Sequence, residues 1–212
     1  MDIKKIPNQI IKQPLQYLNL SKVDSIALHH MAHPTADVKT VEGWHVNDQN
    51  WRAIGYNFWV GFDGTVYEGR GFNLGAGVEN QNGHIISIGF QGDYHSNDVA
   101  MPDAQFNAGV DIIKYVMEKV PTIKTIGGHG EFMATACPGK YFPLEEMKKL
   151  NKRNDDKFTD ISESYARESI NELFEMGIVK GNGNGEFKPK ENVTREDMAT
   201  LVRNTIRYIT GK

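Results

Sequence analysis

Apolar residues fall in short runs at some places in this chain and at three- and four-residue intervals at others, and the two rhythms predict different elements. Ile26-Ala27-Leu28 is a short apolar run ending in His29 and His30, and it reads as a buried strand. Ile54 to Val60 and Thr65 to Arg70 read as a hairpin closed by a turn containing Asp63-Gly64. Ile85 to Gln91 and Ile123 to Ile126 read as two further strands. Phe106, Val110, Ile113, Val116 and Met117 recur at helical spacing, which predicts an amphipathic helix over Asp103 to Lys119 with Pro121 just beyond its end. Val41 to Val46 reads as a helical turn carrying Trp44 and His45, and Pro143 to Leu150 as a closing helix. Pro7 and Pro14 make residues 1 to 22 an extended or turning entry. Strands flanked by helices give an α/β domain over residues 1–150, with the sheet in the centre.

The pattern then breaks. Residues 151–157, NKRNDDK, contain no apolar side chain and read as a linker. Beyond them a small helical module occupies residues 158–212. Ser164 to Met176 places Ala166, Ile170, Leu173 and Phe174 on one helix face, with Gly177 as a stop. Thr194 to Tyr208 reads as a second helix with Met198, Leu201, Val202 and Ile206 turned inward, and Thr194 with Asp197 forms an N-cap signal. The Gly-Asn alternation from Gly181 to Gly185 is a tight turn; its amides in place of carboxylates exclude a calcium loop.

Charge narrows the partners. The net charge of -3 falls within residues 1–150, and the rest of the chain is neutral, so no basic face dominates either part and nucleic acid is disfavoured. No apolar run approaches a membrane span. A single cysteine excludes an internal disulfide framework. The first residues, MDIKKIPNQIIKQPLQYL, lack the uninterrupted apolar core of a signal peptide. The expectation is synthesis in the cytoplasm and action elsewhere only after release.

The candidate chemistry lies in Gly127 to Phe142, GGHGEFMATACPGKYF, which holds His129 and the cysteine, Cys137. Imidazole and thiolate are both good zinc ligands, and a strand-end histidine before residue 31 could add a third, leaving one tetrahedral position for water as in catalytic zinc sites. A lone cysteine also reads as an inert buried thiol, and a histidine in a Gly-rich loop as a solvated side chain. The Gly-x-Gly pieces between Gly71 and Gly83 do not join a strand to a helix, so a dinucleotide fingerprint is rejected.

In order, the strand-end histidine, the segment IGYNFWVGFDGTVYEGRG and the His…Thr-Ala-Cys-Pro-Gly loop resemble the type 2 N-acetylmuramoyl-L-alanine amidases, the zinc amidase family that includes peptidoglycan recognition proteins and phage lysozyme-type amidases. The resemblance covers residues 20 to 150. It implies a central mixed sheet flanked by helices, Zn2+ as cofactor, and His29, His129 and Cys137 as its ligands. His29 is preferred to His30 because the family's ligand directly follows the apolar strand residues, and strand alternation turns the neighbour away. Tyr56 matches the tyrosine beside the zinc-bound water; taken alone, it equally reads as a cross-strand packing residue. Thr135 stands where one branch has lysine and the other threonine, which implies substrate orientation. His45 matches a groove-lining position, and it equally reads as an ordinary packing or surface residue. Phe90 and Gln91 stand where some members carry a glutamate, so a carboxylate base there is not expected.

Residues 158 to about 209 resemble one S-layer homology repeat, through FTDI, Leu-Phe-x-x-Gly-Ile-Val-x-Gly, Gly-Glu-Phe-Lys-Pro and Val-Thr-Arg-Glu-Asp. That resemblance implies binding of a secondary cell-wall polymer, with Arg195 as a contact; Arg195 also reads as an exposed first-turn residue. Such repeats group in threes, so a homo-trimer formed through this module is expected. Together the two resemblances imply hydrolysis of the amide between N-acetylmuramic acid and L-alanine in bacterial peptidoglycan, by a phage or prophage endolysin acting at the wall after release. The alternatives are a host autolysin, a non-catalytic peptidoglycan-binding protein, and an amidase of soluble muropeptides.

Overall fold

The computed structural model describes residues 1–96, 100–150 and 156–211. The chain divides into two compact units, Met1–Asn151 and Lys152–Lys212. Of the expected linker, residues 151–155 lie outside the described residues.

The first unit is organised by six strands: β1 (Ile3–Lys5), β2 (Ser25–His30), β3 (Phe58–Val60), β4 (Val66–Glu68), β5 (Ile85–Phe90) and β6 (Thr125–Gly128). They form one sheet in the order β1-β4-β3-β5-β2-β6. Only β3 and β4 pair antiparallel; every other neighbouring pair is parallel. The central strands β2 and β5 are buried along their whole length, which is why they read as continuous apolar runs instead of alternating ones. The hairpin between β3 and β4 turns at Gly64, whose φ of 79° suits a residue without a Cβ, and Asp63 accepts the Thr65 N–H at 2.9 Å.

The long helix α2 (Asp103–Lys119), which follows the short α1 (Val38–Gly43), has the bounds its periodicity predicts. It packs Ile112, Ile113 and Val116 against Leu28, Phe58, Ile88 and Phe90 in the main core. Each fully buried aliphatic or aromatic side chain of this kind contributes about 1.5–3 kcal/mol. Gln105, also buried, donates to the carbonyls of Val60 at 3.0 Å and Gln91 at 2.9 Å, tying the helix to the ends of β3 and β5. A short α3 (Leu144–Lys148) closes the unit and is briefer than its sequence suggests. The last strand also differs from expectation: it starts at Thr125 and runs into Gly127 and Gly128, because these glycines leave room for the Phe132 and Pro138 rings of the following loop.

The second unit contains α4 (Arg167–Glu175) and α5 (Arg195–Thr210). Its core is small: Phe158, Ile161 and Ile170, with Ala166 and Phe187 packed beside them. The cap at α5 forms as expected, with Thr194 Oγ1 accepting the Asp197 N–H at 3.0 Å and the Asp197 carboxylate accepting the Thr194 N–H at 3.1 Å. The inward face expected for α5 does not form. The helix has no buried residue, and Met198, Val202 and Ile206 are 48%, 51% and 56% exposed. Leu201 alone of the four is half-buried, and the helix is tied to its unit by Asn204 Nδ2 donating to the Ile178 carbonyl at 3.0 Å. Amphipathic spacing encoded the stripe correctly, but a unit with so small a core has nothing to lay against it.

Candidate active site

The site is built at the carboxyl ends of β2 and β6, which are parallel neighbours. His29 is the fifth residue of β2 and is 1% exposed. His129 directly follows β6 and opens a single 3-10 turn. Cys137 comes from the loop beyond, and that loop is held by Gly130 N–H donating to the Cys137 carbonyl at 2.7 Å. The turn itself is fixed by Glu131, which accepts the Gly128 N–H at 2.9 Å and pairs with Lys148.

The structure brings His29, His129 and Cys137 together, with one ligand-capable atom of each within 4.8 Å of the others; among the described residues this is the one such group. Cys137 Sγ stands 4.0 Å from His29 Nδ1 and 3.9 Å from the His30 carbonyl. Donor atoms around a tetrahedral zinc stand roughly 3.3–3.8 Å apart at ordinary bond lengths, so the trio closes on an ion with shifts of about an ångström. Two further observations fit a cation. His129 Nε2 is buried without a hydrogen-bond partner. Burial pushes the Cys137 thiol up to about 11, so a thiolate here requires a positive charge beside it. Burial also holds both imidazoles below their ordinary pKa, His29 furthest, with the neighbouring His129, His30 and His45 adding to it. Neutral imidazoles are the form that binds a metal.

His30 points away, as strand alternation requires. Its Nδ1 accepts the Tyr94 N–H at 3.0 Å and lies 3.7 Å from Asp93. Tyr56 is half-buried, with its ring centroid 5.1 Å from that of His29 and 5.4 Å from that of His45. Burial, and then the charge of Cys137, raise the Tyr56 pKa, so its hydroxyl keeps its proton at neutral pH. Thr135 is exposed at the rim, and its Oγ1 accepts the Cys137 N–H at 3.3 Å. His29, His45, Tyr56, His129, Thr135 and Cys137 line a groove of about 410 Å³. Arg195 is the exposed first residue of α5, in the other unit.

One wall of the groove was not assembled from sequence. Trp51 stacks on His45 at 4.6 Å between ring centroids, and His45 Nδ1 accepts the Gly55 N–H at 3.1 Å. That bond leaves Nε2 as the protonated nitrogen, and burial lowers the His45 pKa to about 4, with Arg70 adding to it. Arg70 is itself buried, donating to the carbonyls of Ile54 at 2.7 Å, Leu74 at 3.0 Å and Ala53 at 3.1 Å. Asn57 is a second such anchor. Its side chain donates to the Gly71 and Asn73 carbonyls and accepts the Ser87 N–H at 2.9 Å. A polar residue inside the apolar run GYNFWV was the signal available for Asn57; nothing local marked Arg70.

The mixed sheet and the His–His–Cys group at the ends of its parallel strands agree with the amidase resemblance of the sequence. The chain belongs to the N-acetylmuramoyl-L-alanine amidase family, which residues 19–140 match, and residues 157–199 match the S-layer homology domain. Among solved structures it is similar to the endolysine N-acetylmuramoyl-L-alanine amidase LysCS from Clostridium intestinale URNW, at TM-score 0.63 and 27% identity, covering 71% of this chain and 95% of that one. It is also similar to the ectodomain complex of peptidoglycan recognition proteins LCa and LCx bound to tracheal cytotoxin, at TM-score 0.58 and 27% identity, covering 66% of this chain and 89% of that chain. Peptidoglycan-recognition protein SC2 of Drosophila simulans is 35% identical over 105 residues, 48% of this chain and 56% of that protein. The chain thus spans little more than half the length of that curated relative.

Proposed function

We propose that this protein is a zinc-dependent amidase that cleaves the bond between N-acetylmuramic acid and L-alanine in bacterial peptidoglycan. The observation that carries the reading is the convergence of His29, His129 and Cys137 in the groove that also holds Tyr56, in a chain of the amidase family. A zinc ion bound by the three side chains supplies a Lewis acid and lowers the pKa of water to about 7. The chain's own residues do the rest. Tyr56, kept protonated, donates its hydroxyl to the oxygen that becomes negative as the amide is attacked. Neutral His45 offers Nε2–H as a second donor to substrate, and Trp51 gives the flat apolar wall on which a peptide or sugar face can lie. Thr135 orients substrate at the rim and steadies the backbone of Cys137.

We further propose that the second unit attaches the enzyme to a secondary cell-wall polymer, with Arg195 as a contact, and that it joins copies of the chain into a trimer. The match to the S-layer homology domain supports the first part, and the exposed apolar stripe on α5 supports the second. The similarity to a clostridial endolysine supports a lytic role in phage release. Incubating purified walls with the protein and identifying the newly opened bond by mass spectrometry tests the activity. New free amino groups on L-alanine support it; binding to walls with no bond opened identifies a recognition protein instead.

A further inference from the structure

Three buried side-chain atoms among the described residues have no hydrogen-bond partner: His29 Nε2, His129 Nε2 and Ser87 Oγ. Two belong to histidines proposed to hold the ion, and the third has no role in the chemistry above. Its position is informative. Ser87 pairs in register with Ala27, and Gly89 with His29, so Ser87 and His29 project from the same face of adjacent parallel strands, two residues out of step. Gly77 covers them both. A Cβ added there would stand 2.4 Å from Ser87 Oγ and 3.2 Å from His29 Nε2, which bounds the separation of those two atoms by the sum of these lengths.

The imidazole has a direction as well as a place. Its Nδ1 lies 4.0 Å from Cys137 Sγ, so this nitrogen faces the thiol, while Nε2 lies beside Gly77, the residue that also covers Ser87 Oγ. Ligating histidines ordinarily donate their second ring N–H to an oxygen, which fixes the tautomer and the ring plane. Ser87 Oγ is an acceptor on a hydroxyl free to rotate. Its backbone is held on both sides by Asn57, whose Oδ1 accepts the Ser87 N–H at 2.9 Å and whose N–H donates to the Ser87 carbonyl at 2.9 Å. The strand is therefore fixed and the hydroxyl is its adjustable part.

We propose that Ser87 is a positioning residue for the metal centre, accepting the Nε2–H of His29 and so holding Nδ1 towards the ion. The inference rests on the zinc reading given above. It explains why a fully buried serine stands in an apolar strand, where alanine would fill the space without burying a hydroxyl.

The test is zinc affinity by competition with a chromogenic chelator, together with thermal melts of metal-free protein, for the full chain and its Ser87→Ala variant. Loss of a second hydrogen-bonding partner of a ligand typically weakens metal binding about 10- to 100-fold. Ser87→Ala should lose affinity by that factor, while its metal-free melting temperature stays level or rises, because a buried hydroxyl whose own proton has no acceptor has been removed. The cobalt-loaded variant should also show altered visible bands, since the histidine is no longer held in one orientation. Affinity within twofold of the parent overturns the proposal, as does a metal-free melt that falls with the affinity, which marks a packing role. His129→Ala is the control. If the parent binds zinc and His129→Ala does not, a normal Ser87→Ala defeats only the role of the serine; if the parent binds none, the zinc reading fails first.

Discussion

The ring of Tyr56 lies across Gly89, the one position of β5 without a side chain: a Cβ there would stand 2.9 Å from Tyr56 Cδ2. Gly89 is also the register partner of His29, so the glycine is what lets the tyrosine, just ahead of β3, reach the histidine across β5. Tyr56→Phe keeps the ring and its packing but removes the proton donor. It should lower kcat about 10²–10³-fold with little change in KM and no loss of zinc. Gly89→Ala should produce a similar loss by displacing the intact tyrosine. Steady-state kinetics on a soluble muropeptide separates the two parameters, and activity of Tyr56→Phe within a factor of two reduces the tyrosine to packing.

His29→Ala, His129→Ala and Cys137→Ser should each abolish hydrolysis and lower zinc content well below one ion per chain, because a three-ligand site has no spare donor. His30→Ala should keep its zinc, since His30 bonds to the Tyr94 N–H on the far side of the strand. Metal analysis after dialysis decides this, and full occupancy in Cys137→Ala rules the site out.

Acid should destabilise the catalytic unit before its carboxylates titrate. Burial holds His45 near 4, below the ordinary 6.5, so between those values the unfolded chain binds a proton that the folded one refuses. Stability from this group is complete above about pH 6.5 and is lost as the pH falls towards 4. His45→Asn keeps an acceptor for the Gly55 N–H and cannot titrate. Its melting temperature should fall less steeply over that window than the parent's; parallel curves would show that His45 contributes nothing to the acid limb.

Removing the second unit should separate cutting from targeting. Residues 1–150 hold the whole groove and should cleave soluble muropeptides at the rate of the full chain, while sedimenting less with intact walls. Undiminished sedimentation of the shorter form removes the targeting role.

The stripe of Met198, Val202 and Ile206 on α5 should be what joins chains. Light scattering on the full chain should give a trimeric mass, and Val202→Glu should give a monomer with unchanged hydrolysis of soluble substrate. A monomer for the parent at tens of micromolar ends that proposal.

How much of this was legible in the sequence depended on whether a residue's role is local. The bounds of α2 followed from apolar spacing, and the cap of α5 from Thr194 and Asp197, because both signals are complete within one turn or one helix face. The edge strand β1 was hidden in a segment read as extended entry, since three residues paired parallel to β4 carry no pattern of their own. The convergence of His29, His129 and Cys137 was legible through resemblance to a family; spacing alone left inert alternatives open. Arg70, Asn57 and Ser87 were not picked out, because what matters about each is a partner distant along the chain: the carbonyls of Ile54 and Leu74, a strand backbone, an imidazole. The outward stripe of α5 shows the converse, a pattern that states which residues share a face and not what covers it.

The pairing of β2 with β6 joins segments about a hundred positions apart, Ser25 opposite Thr125 and Leu28 opposite Gly128. Parallel pairing at such separation has to close a long loop before any contact rewards it, and it is slow for that reason. On the ribosome, His29 emerges long before His129 and Cys137 exist. A growing or interrupted chain therefore cannot bring the three side chains together, and the proposed wall-cutting activity would be switched on only when synthesis of the first unit is finished.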